Sequence, residues 1–75
     1  MKKDYLLGTA LIEDLINSNS NIKKAYEVFR EKYRRYEIID MYAVNHFEKP
    51  IIEVYIYYYD CNYNKRKFEY YEKGN

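Results

Sequence analysis

The chain has 75 residues, 12 of them tyrosine against three phenylalanines and no tryptophan, and a net charge of +1. One cysteine, Cys61, excludes an internal disulfide, and with one histidine it excludes a zinc site built from those residues. A balance of 13 basic and 12 acidic side chains also argues against a dedicated duplex-DNA binder, which carries a larger basic excess.

The first residues, Met1 to Leu7, carry Lys2 and Lys3, but Gly8, Thr9, Glu13 and Asp14 interrupt the apolar stretch that follows, so no signal peptide is expected. No apolar run reaches the roughly 18 residues of a membrane span. A single small cytoplasmic domain, residues 1–75, is the expectation. A domain of this size buries only about 60–65% of its unfolded surface, so aromatic packing or a partner chain has to supply stability.

A first helix is expected over residues 4–17, with Asp4 as its cap and Tyr5, Leu11, Ile12, Leu15 and Ile16 on its inner face. The cluster Asn17-Ser18-Asn19-Ser20-Asn21 breaks it, because these side chains bond their own backbone, and Asn19 or Ser20 caps the next helix. That second helix, over 20–36, has the cleanest periodicity in the chain. Ile22, Ala25, Tyr26, Phe29, Tyr33 and Tyr36 fall within an arc of roughly 100°. Its opposite face holds Lys23, Lys24, Glu27, Arg30, Glu31, Arg34 and Arg35.

From residue 38 the period changes to two. Strands are expected over 38–47, 51–60 and 64–72, joined by turns at Glu48-Lys49-Pro50 and at Asp60 to Tyr63. The fold class is α+β: an αα-hairpin on one face of a three-stranded antiparallel meander, ααβββ. In the middle strand Ile52, Val54, Ile56 and Tyr58 point to the core, and Glu53, Tyr55, Tyr57 and Tyr59 point away. Burial of Phe68 and Tyr70 requires an odd loop in the second hairpin, pairing Ile56 with Phe68 and Val54 with Tyr70. The same reasoning on the first hairpin pairs Val44 with Val54, Tyr42 with Ile56 and His46 with Ile52, and turns Asp40 inward beside Tyr58.

Two sets of tyrosines result. Tyr26, Tyr33, Tyr36, Tyr42, Tyr58 and Tyr70 read as core. The open face of the sheet collects Ile39, Met41, Ala43, Tyr55, Tyr57, Tyr59 and Tyr71, edged by Glu53, Lys65, Lys67 and Glu69. Antiparallel sheets normally make an uncovered face polar, so an aromatic one calls for a cover. Ile39, Met41, Tyr55, Tyr57, Tyr59, Tyr71, Lys65 and Lys67 are therefore the candidate partner or dimer face, and Lys23, Arg30, Arg34 and Arg35 are a candidate basic contact face.

No phosphate loop, catalytic triad or carboxylate cluster is present, and no cofactor or metal is expected. The residues point to a non-enzymatic interaction protein. Codons rich in A and T encode 36 of its 75 residues (Lys, Asn, Ile and Tyr), and short motif-free chains of this composition are common among products of viruses and mobile elements. Binding and inhibiting a host protein or ribonucleoprotein complex, as anti-CRISPR proteins do, is the expected role, with self-association as a homodimer. The alternatives are a single-stranded nucleic-acid module stacking bases on Tyr55, Tyr57, Tyr59 and Tyr71 with Lys65, Lys67, Arg34 and Arg35 on phosphates, and a small metal-independent ribonuclease using His46. Cys61 reads as a turn residue, reactive only if Lys65 or Arg66 lies beside it.

Overall fold

The computed structural model describes residues 6–46, 48 and 50–73. Two helices, α1 (Thr9–Ser18) and α2 (Ser20–Lys32), precede three strands, β1 (Glu37–Asn45), β2 (Ile51–Tyr59) and β3 (Lys65–Lys73). The strands form one antiparallel sheet in the order β1-β2-β3, and the helices pack against one of its faces. The ααβββ architecture expected from periodicity is the one observed.

Helix α1 starts at Thr9, five residues after the expected start. Gly8 is its N-cap with extended backbone (φ −73°, ψ 161°), and the preceding Leu7 donates its N–H to the carbonyl of Ile38 at 2.9 Å, so the entering chain lies against β1. Asp4 and Tyr5, expected as cap and inner-face residue, lie outside the described residues. The inner face of α1 is also narrower than its pattern suggested: Ile12 is buried and Leu15 and Ile16 half-buried, whereas Leu11 is 55% exposed. Asn19 alone separates the helices. Its carboxamide oxygen accepts the N–H groups of Asn21 and Ile22 at 2.9 and 3.2 Å, satisfying donors that a helix start leaves without partners.

Helix α2 ends at Lys32, four residues before the expected end. Tyr33 (φ −132°, ψ 68°) leaves the helical region, and Arg30 holds the departing chain, donating to the carbonyl of Tyr36 at 2.7 Å. Tyr33 and Tyr36 still reach the core from this turn, where their rings stack on Tyr58 with centroids 5.3 and 5.4 Å away. Phe29, fully buried, meets Tyr33, Tyr58 and Phe68. Together with Ile12, Ile22, Ala25, Ile38, Met41, Val54 and Ile56, these rings make the core between helices and sheet.

The second hairpin has the expected register, with Val54 opposite Tyr70 and Ile56 opposite Phe68. Its turn is held by Asp60, whose carboxylate accepts the N–H groups of Asn62 and Asn64 and the Arg66 guanidinium, each at 2.9 Å. These backbone bonds, with Arg66 after them, hold the Asp60 carboxyl below its usual range.

The first hairpin is displaced by one residue from the expected register. Met41 lies opposite Ile56, Tyr42 opposite Tyr55, Ala43 opposite Val54 and Val44 opposite Glu53. A bulge between Ile38 and Asp40 absorbs the difference, so both Ile38 and Ile39 are buried while Asp40 comes out to solvent and accepts the N–H of Met41 at 2.9 Å. The inward Asp40 was the burial cost of the expected register, and the bulge removes it. Met41 and Ala43 consequently leave the open face for the core side, and Tyr42 makes the opposite exchange. His46, expected inward beside Ile52, is exposed. Phe47, the expected end of the first strand, lies outside the described residues.

Candidate functional site

The sheet face turned away from the helices is built in rows by the register. Asp40, Tyr57 and Lys67 form one row, Tyr42, Tyr55 and Glu69 the next, and Val44, Glu53 and Tyr71 the third, with Tyr59 beside Lys65 at the opposite end. β2 supplies the centre because alternate side chains of a strand share a face, and its aliphatic set occupies the core side.

Each tyrosine of the three rows has a polar partner within the face. Tyr42 and Tyr57 bring their hydroxyls to 3.4 Å, with rings stacked at 6.0 Å, and this hydrogen bond raises the Tyr42 phenol above its ordinary value. Tyr55 donates to one oxygen of Glu53, and His46 Nε2 lies 2.6 Å from the other. The bond to Glu53, followed by partial burial, pushes Tyr55 up to about 12. Tyr71 donates to Glu69 at 3.0 Å, and Lys67 reaches the other oxygen of that carboxylate, also at 3.0 Å. Lys67, and after it Tyr71, holds the Glu69 carboxyl below its usual range.

The lysines also cover the rings. Lys67 Nζ stands 5.1 Å from the Tyr55 ring centroid and Lys65 Nζ 5.6 Å from that of Tyr57, which places ammonium groups over π-faces and lays methylene stems on aromatic surface. Beside them, Ile39, Asp40, Tyr42, Tyr57 and Lys65 line a hollow of about 410 Å³. Since the hydroxyls bond among neighbours of the face, it turns ring edges, methylenes and six charges outward: Lys65 and Lys67 against Glu37, Asp40, Glu53 and Glu69.

Of the residues singled out by sequence, Tyr55, Tyr57, Tyr71, Lys65 and Lys67 come together on this face. Ile39 sits at its bulged corner and is nine-tenths buried. Met41 is 2% exposed and belongs to the core. Tyr59 lies at the far end, in a second hollow with Arg35, Tyr36, Glu37, Asp60, Cys61 and Tyr63. Tyr42 is the residue that sequence reasoning missed, and Asp40 was the signal: the one-residue shift that brings Asp40 out brings Tyr42 out with it.

Three of the basic set, Arg30, Arg34 and Arg35, line one groove, and Lys23 lies outside it. Lys23, Arg34 and Arg35 are exposed, but Arg30 is folded in, with its Nε on the Tyr26 hydroxyl at 3.1 Å and its guanidinium over the Tyr26 and Phe29 rings. The groove, of about 260 Å³, is floored by Leu6, Leu7 and Ile12. Cys61 is exposed, and its thiol is the main cause of the upward shift of the Tyr36 phenol. Among the described residues, no group of three His, Cys, Asp or Glu side chains could hold a metal ion, and no helix is long and apolar enough to cross a membrane.

No family model matches the chain, and neither a curated protein nor a solved structure resembles it.

Proposed function

We propose that the chain is a non-enzymatic binding protein that acts by covering part of another protein, with the open sheet face as its contact surface. One observation supports the reading: Tyr55 and Tyr71 spend their hydroxyl protons on carboxylates of the face and Tyr42 and Tyr57 share one between them, so ring and methylene area is offered outward with a single phenolic proton left for a partner. Burying such rings against another protein gains contact area and leaves only that proton to satisfy, which is the advantage of tyrosine at interfaces.

The face favours protein over nucleic acid. Four carboxylates, Glu37, Asp40, Glu53 and Glu69, stand among two lysines, and phosphates approaching the rings would meet them. His46 is exposed, as the ribonuclease reading requires, and its ring meets the carboxylate of Glu53. Size and composition support the narrower reading that the covered surface belongs to a host complex in the cytoplasm, which the protein inhibits by occupancy, in the manner of small viral and anti-CRISPR inhibitors.

Affinity capture from host lysate, with and without nuclease, tests the proposal. The expected result is a protein partner retained after nuclease treatment and lost with Tyr57→Glu, whose circular dichroism should match the parent. Capture that disappears with nuclease would move the reading to nucleic acid.

A further inference from the structure

We propose that the open sheet face is covered by a second copy of the chain, packed sheet to sheet about a two-fold axis that crosses the strands between the Tyr55 row and the Tyr57 row. The inference rests on the reading of this face as a protein contact surface and names what covers it in the free protein, a second copy that a partner protein displaces. Identical chains most often associate through such an axis, which makes one patch its own partner, so the patch has to be self-complementary. The pattern of charges on the rows decides whether it is.

Two orientations stack one sheet on the other with strands aligned, as facing sheets prefer. With the axis along the strands, β2 lies on β2, and Glu53 falls on the partner's Glu53. That puts like charges together on the middle strand, in the third row, although Lys67 then meets the partner's Asp40 and Lys65 the partner's Glu37. With the axis across the strands, each strand lies on its own copy with rows exchanged. Lys67 then meets the partner's Glu69, and Glu69 meets the partner's Lys67. Tyr55 meets the partner's Tyr57, Lys65 the partner's Tyr71, and Glu53 the partner's Tyr59. Asp40 meets the partner's Tyr42, and the same exchange brings that 39% exposed ring over the hollow beside Ile39, where it fits as a knob. No like charges coincide in this arrangement.

Area sets the strength. Three strands of nine residues, spaced by about 4.8 Å with a rise of about 3.3 Å per residue, give a footprint of roughly 400 Å². A stable interface covers about 800 Å² on each partner, so this one belongs to the weak class. Association in the micromolar range, dependent on concentration, is expected.

Sedimentation velocity on the full chain from about 1 to about 500 µM, a range that brackets the micromolar class, reads this directly. The wild type should pass from monomer to dimer. Lys67→Glu gathers four carboxylates at the crossing point and Glu69→Lys gathers four ammonium groups, so each should weaken the dimer at least about tenfold. The double variant Lys67→Glu/Glu69→Lys restores opposite charges across the proposed axis and should recover dimerisation. Under the strand-parallel axis these residues face Asp40 and Tyr42, and the double variant would not recover. Circular dichroism of each variant confirms an unchanged fold. A wild type that stays monomeric at the highest concentration, or a double variant no better than the singles, overturns the inference. A monomeric wild type whose capture of another protein is abolished by Tyr57→Glu would leave the face as a contact surface and remove only the second copy. If Tyr57→Glu changed neither mass nor capture, both readings would fall.

Discussion

Phe29 meets Tyr58 edge to face, with ring centroids 5.0 Å apart and planes at 65°, and through this contact α2 is fastened to the central strand. Phe29 is also the largest fully buried side chain, and it touches Tyr33 and Phe68 from the same position. Truncation to alanine removes these edge-to-face contacts and leaves a cavity between helix and sheet. Phe29→Ala should cost about 3–5 kcal/mol. For a chain of this length, total stability is about 4–11 kcal/mol, so the variant should be close to unfolding at room temperature. Urea unfolding followed by circular dichroism gives the number, and a loss below about 1 kcal/mol would mean that α2 does not rest on the sheet as described.

Arg30 should behave as a structural residue although its neighbours on the helix are solvated. Its guanidinium bonds the Tyr36 carbonyl and the Tyr26 hydroxyl, while its stem packs against rings. Arg30→Met keeps the stem and removes the donors, and should cost about 1–3 kcal/mol, because the Tyr36 carbonyl, just before β1, loses its partner. Arg30→Lys should recover only part of this, since one ammonium cannot fork between two acceptors. Arg34→Met and Arg35→Met should each stay within about 0.5 kcal/mol of wild type. Thermal unfolding of the four variants side by side separates the classes.

The bulge at Ile39 makes a sharper prediction and shows where sequence reasoning reaches its limit. β3 sets Phe68 and Tyr70 alternately with Lys67, Glu69 and Tyr71, so Glu69 opposite Ile56 would have been costly and the register of that hairpin followed from burial alone. β1 offers no such contrast. From Ile38 to Val44 every residue is apolar or aromatic except Asp40, so either register places apolar side chains on the core side. An apolar run also hides an extra residue, since both Ile38 and Ile39 find cover on opposite faces. The helix ends were shifted for a related reason. Tyr33 and Tyr36 do face the core, but from a turn held by Arg30, and periodicity cannot distinguish a ring placed by a helix from one placed by a turn. Tyr55, Tyr57 and Tyr71 could be placed on the open face because β2 has a clear period of two, whereas Tyr42 could not.

Deletion of Ile39 should therefore be tolerated. Removing it leaves Ile38 opposite Tyr58 and Asp40 opposite Tyr57, so both halves of β1 keep their register and only the burial of one isoleucine is lost, about 2–4 kcal/mol. Deletion of Ala43, four residues beyond Ile39 in the continuous ladder, should flip one side of the strand and abolish the fold. Amide hydrogen exchange across β1 and β2 distinguishes the two: protection retained in the Ile39 deletion, and lost in the Ala43 deletion. Equal damage from both would show that the bulge is not where β1 carries its extra residue.

The bond from Tyr55 to Glu53 predicts a specific alkaline response. Hydrogen bonding to the carboxylate, with burial second, pushes Tyr55 up to about 12 from the ordinary tyrosine value of 10.0. A group whose pKa is raised on folding contributes stability that is complete below the unfolded value and disappears as pH rises through the folded one. The stability difference between wild type and Tyr55→Phe should therefore be constant up to pH about 10 and shrink as pH approaches about 12. Near-ultraviolet titration supplies the direct check, taking the difference between wild type and Tyr55→Phe as the signal of this one phenol. Its midpoint should lie near 12, and Glu53→Gln should bring it back toward 10 without loss of fold, because the amide can accept from the phenol or donate to the phenolate, so the bond no longer favours the protonated form and the negative charge is gone. A wild-type midpoint already near 10 would mean that the Tyr55 hydroxyl points to solvent. The face would then present a hydroxyl needing a partner where the proposed contact requires ring surface, and the stacking of Tyr55 on the partner's Tyr57 would lose its physical basis.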